Sequence, residues 1–214
     1  MAALRSLGVA SVPVVAIGDE WVFGQSLHDV AKLTGIEYAA KAQLTPEQLV
    51  EKLDLILAAA QRYLCQLPAD KLDTNVRGRK RTYRNLGYHI FRLQEGFVEV
   101  ATGAEGMVAR ELLDTEAPAD MVTAPQIAAY GDRVRKIVRD WWDGLEDKSC
   151  RGPIETFYGT HPLHDVLERF TWHSGQHVRQ LMLLLREDFA TEPDRPLSDD
   201  DLAGLPLPEK VWDD

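Results

Sequence analysis

The sequence predicts a mainly α protein, in which a small β-hairpin and helix precede a four-helix bundle. Four long segments carry apolar side chains at helical spacing and are separated by proline- or glycine-containing stretches. Two short runs of β-branched and aromatic residues precede them. The 214 residues are 45% hydrophobic and 27% charged, which suits one full core and an appendage. We predict a hairpin segment over residues 1–38, a bundle over 42–190 and an extended C-terminal strap over 191–214.

The N-terminal segment contains two predicted strands, residues 11–17 and 20–23, joined at Gly18-Asp19. Ser26 is placed to cap the following helix, which glycine then ends. A two-stranded hairpin is marginally stable alone and has exposed edges. It either packs on the helical body or pairs with the hairpin of a second chain. We favour the second arrangement, which predicts a homodimer; a third alternative is that the natural chain has further sequence upstream.

The bundle helices follow from their caps and apolar stripes. The first begins at Thr45-Pro46 and ends near Leu67, and the third runs from about Pro125 to Trp142. The residues expected on the inner faces of the first, second and fourth helices are Leu49, Leu53, Ile56 and Leu57; Leu86, Leu93, Phe97 and Val100; and Leu163, Val166, Leu167, Phe170, Leu181, Leu184 and Leu185.

Two further segments complete the chain. Residues 143–160 are predicted as a loop that leads to the fourth helix, with His161, just before Pro162, as the cap of that helix. The proline-rich, acidic C-terminus is too broken for a long helix. Its apolar residues predict that it packs on the bundle; they are Leu205, Leu207, Val211 and Trp212.

Charge and composition exclude several classes of function. The net charge of −10 disfavours a nucleic-acid backbone as the main partner, because that binding needs a basic face. The basic run Arg77–Arg84 is expected to be a solvated helix entrance, or alternatively to attract an anionic substrate. No apolar run approaches the roughly 18–20 residues that span a bilayer, and the N-terminus lacks signal-peptide features. With only two cysteines, of which Cys65 is expected in the core, we predict a reduced, cytoplasmic setting.

Three histidines form a candidate metal site. His173 and His177 are four residues apart at the edge of the apolar stripe of the fourth helix, so one ion can bind both. His89 shares the core face of the second helix, and bundle cores are a usual place for metal sites. The alternative is that all three are ordinary hydrogen-bonded core residues. The remaining histidines fit the site less well; they are His28, His161 and His164.

A histidine in LGYHIFRL and a pair in WHSGQHVRQL, on the second and fourth of four helices, resemble the DinB-like superfamily of metal-binding bundles. The resemblance covers roughly residues 42–190, and its signature positions are His89, His173 and His177. It implies a divalent metal and, for members such as mycothiol-dependent maleylpyruvate isomerases and bacillithiol transferases, a low-molecular-weight thiol. Imidazole ligands suit several ions. We expect zinc or nickel, with iron or manganese as alternatives.

The N-terminal order of Val-Pro, hairpin, Gly-Gln-Ser and helix resembles the C-terminal half of a glutaredoxin. This resemblance implies that Val12 and Pro13 pair with the peptide of a thiol such as glutathione, and that Gly24, Gln25 and Ser26 hold its carboxylate. The redox half of that fold, with its cysteine, is absent. The alternative is a hairpin with no ligand.

Together these features predict a metal-dependent enzyme that activates a glutathione-like thiol for transfer or isomerisation of a small-molecule substrate. The alternative is a non-enzymatic, metal-stabilised dimeric protein of binding or stress response. The catalytic acid and base stay unassigned; Tyr88, Glu155 and Tyr158 are close enough in sequence to contribute.

Overall fold

The computed structural model describes residues 14–37, 44–103 and 115–212. The chain divides into two compact units, Met1–Gln43 and Leu44–Asp214. The fold is mainly helical, with a small two-stranded hairpin before the helices, which confirms the predicted fold class.

The N-terminal unit contains a hairpin and one helix. Strand β1, Val14–Ile17, pairs antiparallel with β2, Glu20–Phe23, through a two-residue turn at Gly18-Asp19. Helix α1, Leu27–Thr34, begins after Ser26, whose Oγ accepts a hydrogen bond from the Asp29 amide at 3.1 Å. Gly35 ends it in the left-handed conformation at φ 68°, which only glycine adopts at little cost.

Four long helices form the bundle: α2, Pro46–Gln66; α3, Tyr83–Ala101; α4, Ala124–Gly144; and α5, Leu163–Phe189. Thr45 and Thr123 close capping boxes with the glutamines three residues on, so α2 and α4 begin at sequence-encoded signals. A short 3₁₀ turn, Ala69–Lys71, lies between α2 and α3.

The core lies between these helices. Both α2 and α3 pack against α4 and α5, and the predicted inner faces are buried, except that Leu163 is only partly so. Helix α4 approaches α3 closely at Gly131, where an added Cβ would lie 2.7 Å from the ring of Phe91. Cys65, predicted in the core, is exposed, because Tyr63 and Leu64 occupy the inner face of that turn.

The predicted loop before α5 is instead partly a second hairpin. Strand β3, Pro153–Thr156, pairs antiparallel with β4, Gly159–Pro162. The Thr156 hydroxyl donates to the Gly159 carbonyl at 2.6 Å and so closes the turn. The predicted capping role of His161 is wrong: this residue lies in β4 beside the Tyr158 carbonyl, and the N-cap Pro162 has no side-chain hydrogen bond.

The C-terminal segment packs along the bundle. It contains one short helix, α6, Asp199–Leu202. The buried Tyr63 hydroxyl accepts from the Leu197 amide at 3.0 Å and donates to the Arg195 carbonyl at 3.1 Å, which fixes the segment to α2. Among the described residues, no helix has both the length and the apolar character needed to cross a membrane.

Candidate metal centre

The structure brings the three predicted histidines together between two helices. His89 is on α3 and His173 and His177 are on α5, and one ligand atom from each lies within 4.8 Å of the others. The ring centroids are 4.8 to 5.8 Å apart. Two metal–nitrogen bonds of about 2.1 Å span at most about 4.2 Å, so small side-chain rotations suffice to close the set on one ion.

A buried polar network sets the register of α3 against α5. The Gln94 amide donates to the Phe170 carbonyl and to the Ser174 hydroxyl, each at 2.8 Å, and both polar side chains are fully buried. Ser174 is next to His173, and Gln94 lies five residues after His89. The network therefore aligns the two halves of the histidine cluster.

Gln180 fixes the orientation of His177. Its Oε1 lies 2.9 Å from Nδ1 of His177, and its Nε2 makes a long contact of 3.4 Å to the Val211 carbonyl. With the amide in this orientation, Oε1 accepts and Nδ1 carries the hydrogen. The lone pair of His177 is then on Nε2, which is buried and has no hydrogen-bond partner among the described residues. An aligned imidazole with an unused buried nitrogen is suited to a metal.

The electrostatic surroundings keep the rings of His173 and His177 neutral. Burial lowers the pKa of His177 to about 4; the Gln180 hydrogen bond opposes this shift, and the charges of Arg81 and Arg79 add to it. Burial, followed by the neighbouring His177 and His89, lowers the pKa of His173 well below its usual value. The neutral form at physiological pH is the form that ligates metals.

Two cavities reach the cluster. The larger, about 370 Å³, is lined by Val76, Arg79, Lys80, Arg81, Leu86, His177, Gln180 and Trp212. The smaller, about 210 Å³, is lined by Lys80, Arg81, Asn85, His89, Thr115 and Glu116. Small molecules can therefore approach the cluster from the His177 side and from the His89 side.

The predicted thiol-binding residues belong to the N-terminal unit. Gly24, Gln25 and Ser26 form the turn between β2 and α1, and the Ser26 hydroxyl caps that helix. Val12 and Pro13 lie outside the described residues. The role of these five residues stays a prediction.

The candidate acid–base residues do not line either cavity. Tyr88 stacks on Tyr130 with ring centroids 5.2 Å apart, Tyr158 contacts the His161 ring in a tilted arrangement, and Glu155 accepts from the Thr160 hydroxyl. His164 hydrogen-bonds the Leu44 carbonyl at 2.8 Å, outside the cluster.

Sequence reasoning missed the residues that support the cluster. Gln180 follows His177 by three residues, so helical spacing alone was sufficient to identify it as a neighbour. Gln94 and Ser174 lie on buried helix faces, where a polar side chain indicates a hydrogen-bonded role. No local signal points to the Val211 carbonyl, which comes from the distant C-terminal segment.

Comparison with models of protein families identifies a match. The model of a protein family described as the DinB superfamily matches residues 52–181, more than half of the chain, and this range includes all three histidines. A search of curated proteins finds no match.

Proposed function

The chain belongs to the DinB superfamily, and we propose that it is a divalent-metal-dependent enzyme of that superfamily. In this proposal it activates a low-molecular-weight thiol of the glutathione type for transfer to, or isomerisation of, a small substrate. The convergence of His89, His173 and His177 is the observation that supports it best.

The donor set fits a divalent cation. Three neutral imidazoles leave the full 2+ charge of an ion in place, and zinc or nickel suits them, with iron or manganese as alternatives. Such a cation, when bound, supplies Lewis acidity that lowers the pKa of a coordinated water or thiol. The thiolate form is the nucleophile that attacks an electrophilic carbon.

The residues around the cluster orient its histidines and leave access for small molecules. Gln180 holds His177 in the tautomer that has its lone pair on Nε2, and Gln94 keeps the two histidine-bearing helices in register. The cavities on either side give a thiol and a second molecule separate routes to the cluster. For the N-terminal unit we propose a binding role of its own, in which Val12 and Pro13 pair with the peptide of a glutathione-like thiol and Gly24, Gln25 and Ser26 hold its carboxylate.

The competing function is a metal-stabilised dimeric protein without catalysis. A structural metal site is closed by a fourth protein ligand, whereas a catalytic site keeps a position open. Among the described residues, the group of potential ligands contains three histidines and no fourth residue. This observation favours the enzyme.

Elemental analysis of the purified protein tests metal binding. We expect about one divalent ion per chain, and its loss in H89A and H173A. The matched control is H164A, which removes a histidine from the same helix as His173 but outside the cluster. Equal metal content in all four proteins would mean that the cluster is not the site.

Titration calorimetry with glutathione tests the thiol part. We expect glutathione to bind the metal-loaded protein. Its affinity should fall at least tenfold when the metal is stripped, because the sulfur then has no metal ion to coordinate. Absence of heat from both forms would exclude glutathione as the thiol, and intact metal content would then favour the non-catalytic alternative.

A further inference from the structure

The larger cavity beside the histidine cluster has an unusual charge. Among the eight described residues that line it, Arg79, Lys80 and Arg81 are cationic and none is acidic, although the chain carries a net charge of −10. The smaller cavity shares Lys80 and Arg81 but adds Glu116, which opposes their charge. The positive potential is therefore concentrated on the His177 side, where an anion would be attracted.

The loop that carries these cations is held in place. The Val76 amide donates to the Arg81 carbonyl at 2.9 Å, and the Arg79 amide donates to the Val76 carbonyl at 2.8 Å. At the start of the loop, the Arg77 guanidinium binds Asp188 at 2.7 Å and Glu187 at 2.6 Å, at the end of α5. The cationic side chains are thus presented by a fixed backbone.

The other walls of the cavity are apolar. Val76 and Leu86 are almost fully buried. The ring of Trp212 lies beneath the Arg79 guanidinium, 4.6 Å from the ring centroid, which holds that cation at the cavity. A site with both a cationic side and an apolar side suits a molecule that has a charged end and a hydrocarbon part. The volume of about 370 Å³ is at the small end of ligand sites.

We propose that this cavity binds the anionic head group of a small organic substrate. Arg79, Lys80 and Arg81 hold the carboxylate or phosphate group, while Val76, Leu86 and Trp212 contact the hydrocarbon part. The substrate's reactive atom then points to His177 and the cluster. This inference rests on the proposed function for the direction of the reactive atom, whereas anion binding itself is independent of metal.

Calorimetry on the metal-stripped protein tests the anion site. The probes are succinate, inorganic phosphate and, as an uncharged control, dimethyl succinate. We expect succinate or phosphate to bind, the ester not to bind, and the affinity to fall as salt rises from about 50 mM to about 500 mM. Binding of succinate alone assigns a carboxylate head group, and binding of phosphate alone assigns a phosphate.

Variants locate the binding. R79Q/K80Q is expected to lower the affinity for the anion at least tenfold, whereas R133Q is expected to leave this affinity unchanged. Arg133 is the matched control because it is an exposed arginine over the ring of Tyr130 and lines neither cavity. All three substituted residues are exposed, so the variants should fold; circular dichroism checks this.

Failure of the two proposals can be told apart. Absence of anion binding, or binding that R79Q/K80Q leaves unchanged, overturns the anion site even if the metal content is as expected. Anion binding that depends on Arg79 and Lys80 supports it even if the protein carries no metal. In that case the proposed function fails alone.

Discussion

Individual side chains determine the orientation and the tautomer of the histidine rings in the cluster. His177 has a defined tautomer because Gln180 accepts its Nδ1 hydrogen, and the Gln180 amide is itself oriented by the Val211 carbonyl. Each contact is a single hydrogen bond, yet together they determine which nitrogen has a free lone pair. Hydrogen-bond partners of this kind fix the orientation of a metal-binding imidazole and raise its basicity.

Replacing Gln180 with leucine should weaken metal binding about 10- to 100-fold, because His177 loses the acceptor that fixes its ring. Competition with a chromophoric chelator measures the change. Q180E keeps an acceptor oxygen and should retain the affinity. Q61L is the control, because Gln61 on α2 bonds the Ala128 carbonyl and lines neither cavity beside the cluster. An unchanged affinity in Q180L would show that the ring is oriented by other contacts.

Acid should destabilise the metal-free chain. The pKa of His177 is about 4 in the folded state and about 6.5 when unfolded, so the unfolded chain binds the extra proton between these values. The free energy of unfolding is therefore highest above pH 6.5 and falls as the pH drops toward 4. From pH 7 to pH 5 the loss from this residue is about 2 kcal/mol, and His173 acts in the same direction.

Urea denaturation in the presence of a chelator measures this loss. H177Q removes the titrating group and should show a smaller decrease between the two pH values. Equal denaturation midpoints for the original chain at pH 7 and pH 5 would contradict the lowered pKa.

At the scale of elements, the sequence was informative wherever a cap or an apolar stripe is local. Thr45 and Thr123 each have a glutamine three residues later, and α2 and α4 begin at those signals. The hairpin β3–β4 was missed because its short strands, PIET and GTHP, contain two prolines and a glycine, which are unfavourable in a strand. The histidine cluster was predictable from helix faces, whereas its support from Val211 depends on how the distant C-terminal segment packs.

Gly131 allows α4 to approach α3, and G131A should destabilise the bundle. The new methyl group would press on the Phe91 ring, and such overpacking costs about 1–3 kcal/mol. The higher helix propensity of alanine stabilises the helix by about 1 kcal/mol, which offsets part of this cost. The net loss should lower the melting temperature by a few degrees. G144A is the matched control in the same helix, because its Cβ would meet no atom within 4 Å; a G131A protein as stable as G144A would contradict this packing.

For the whole molecule, the isolated hairpin raises the question of assembly. Strands β1 and β2 pair only with each other among the described residues, and Ile17 is 52% exposed. Exposed edges are templates for pairing with another chain. We therefore keep the prediction of a homodimer formed by two hairpins.

Light scattering after gel filtration tests the homodimer. The expected mass is twice the 24.0 kDa of one chain. A16P removes a backbone N–H from the outer edge of β1, because Ala16 faces Trp21 in a non-hydrogen-bonded pair, and should shift the mass to that of the monomer. V122K, at an exposed apolar residue of the bundle unit, is the control and should leave the mass unchanged. A monomeric original chain would show that the hairpin edges are not an interface.

The contacts of Val211 also link two equilibria, the docking of the C-terminal segment and the binding of a metal ion at the cluster. Its carbonyl accepts from Gln176 at 2.8 Å and, at 3.4 Å, from the glutamine that orients His177. If docking of the last residues on the bundle raises the affinity of the cluster for an ion, binding of the ion must stabilise that docking by the same factor. Backbone amides near the carboxyl end should then exchange with deuterium more slowly in the loaded protein, so the tail would report occupancy of a centre that it does not ligate.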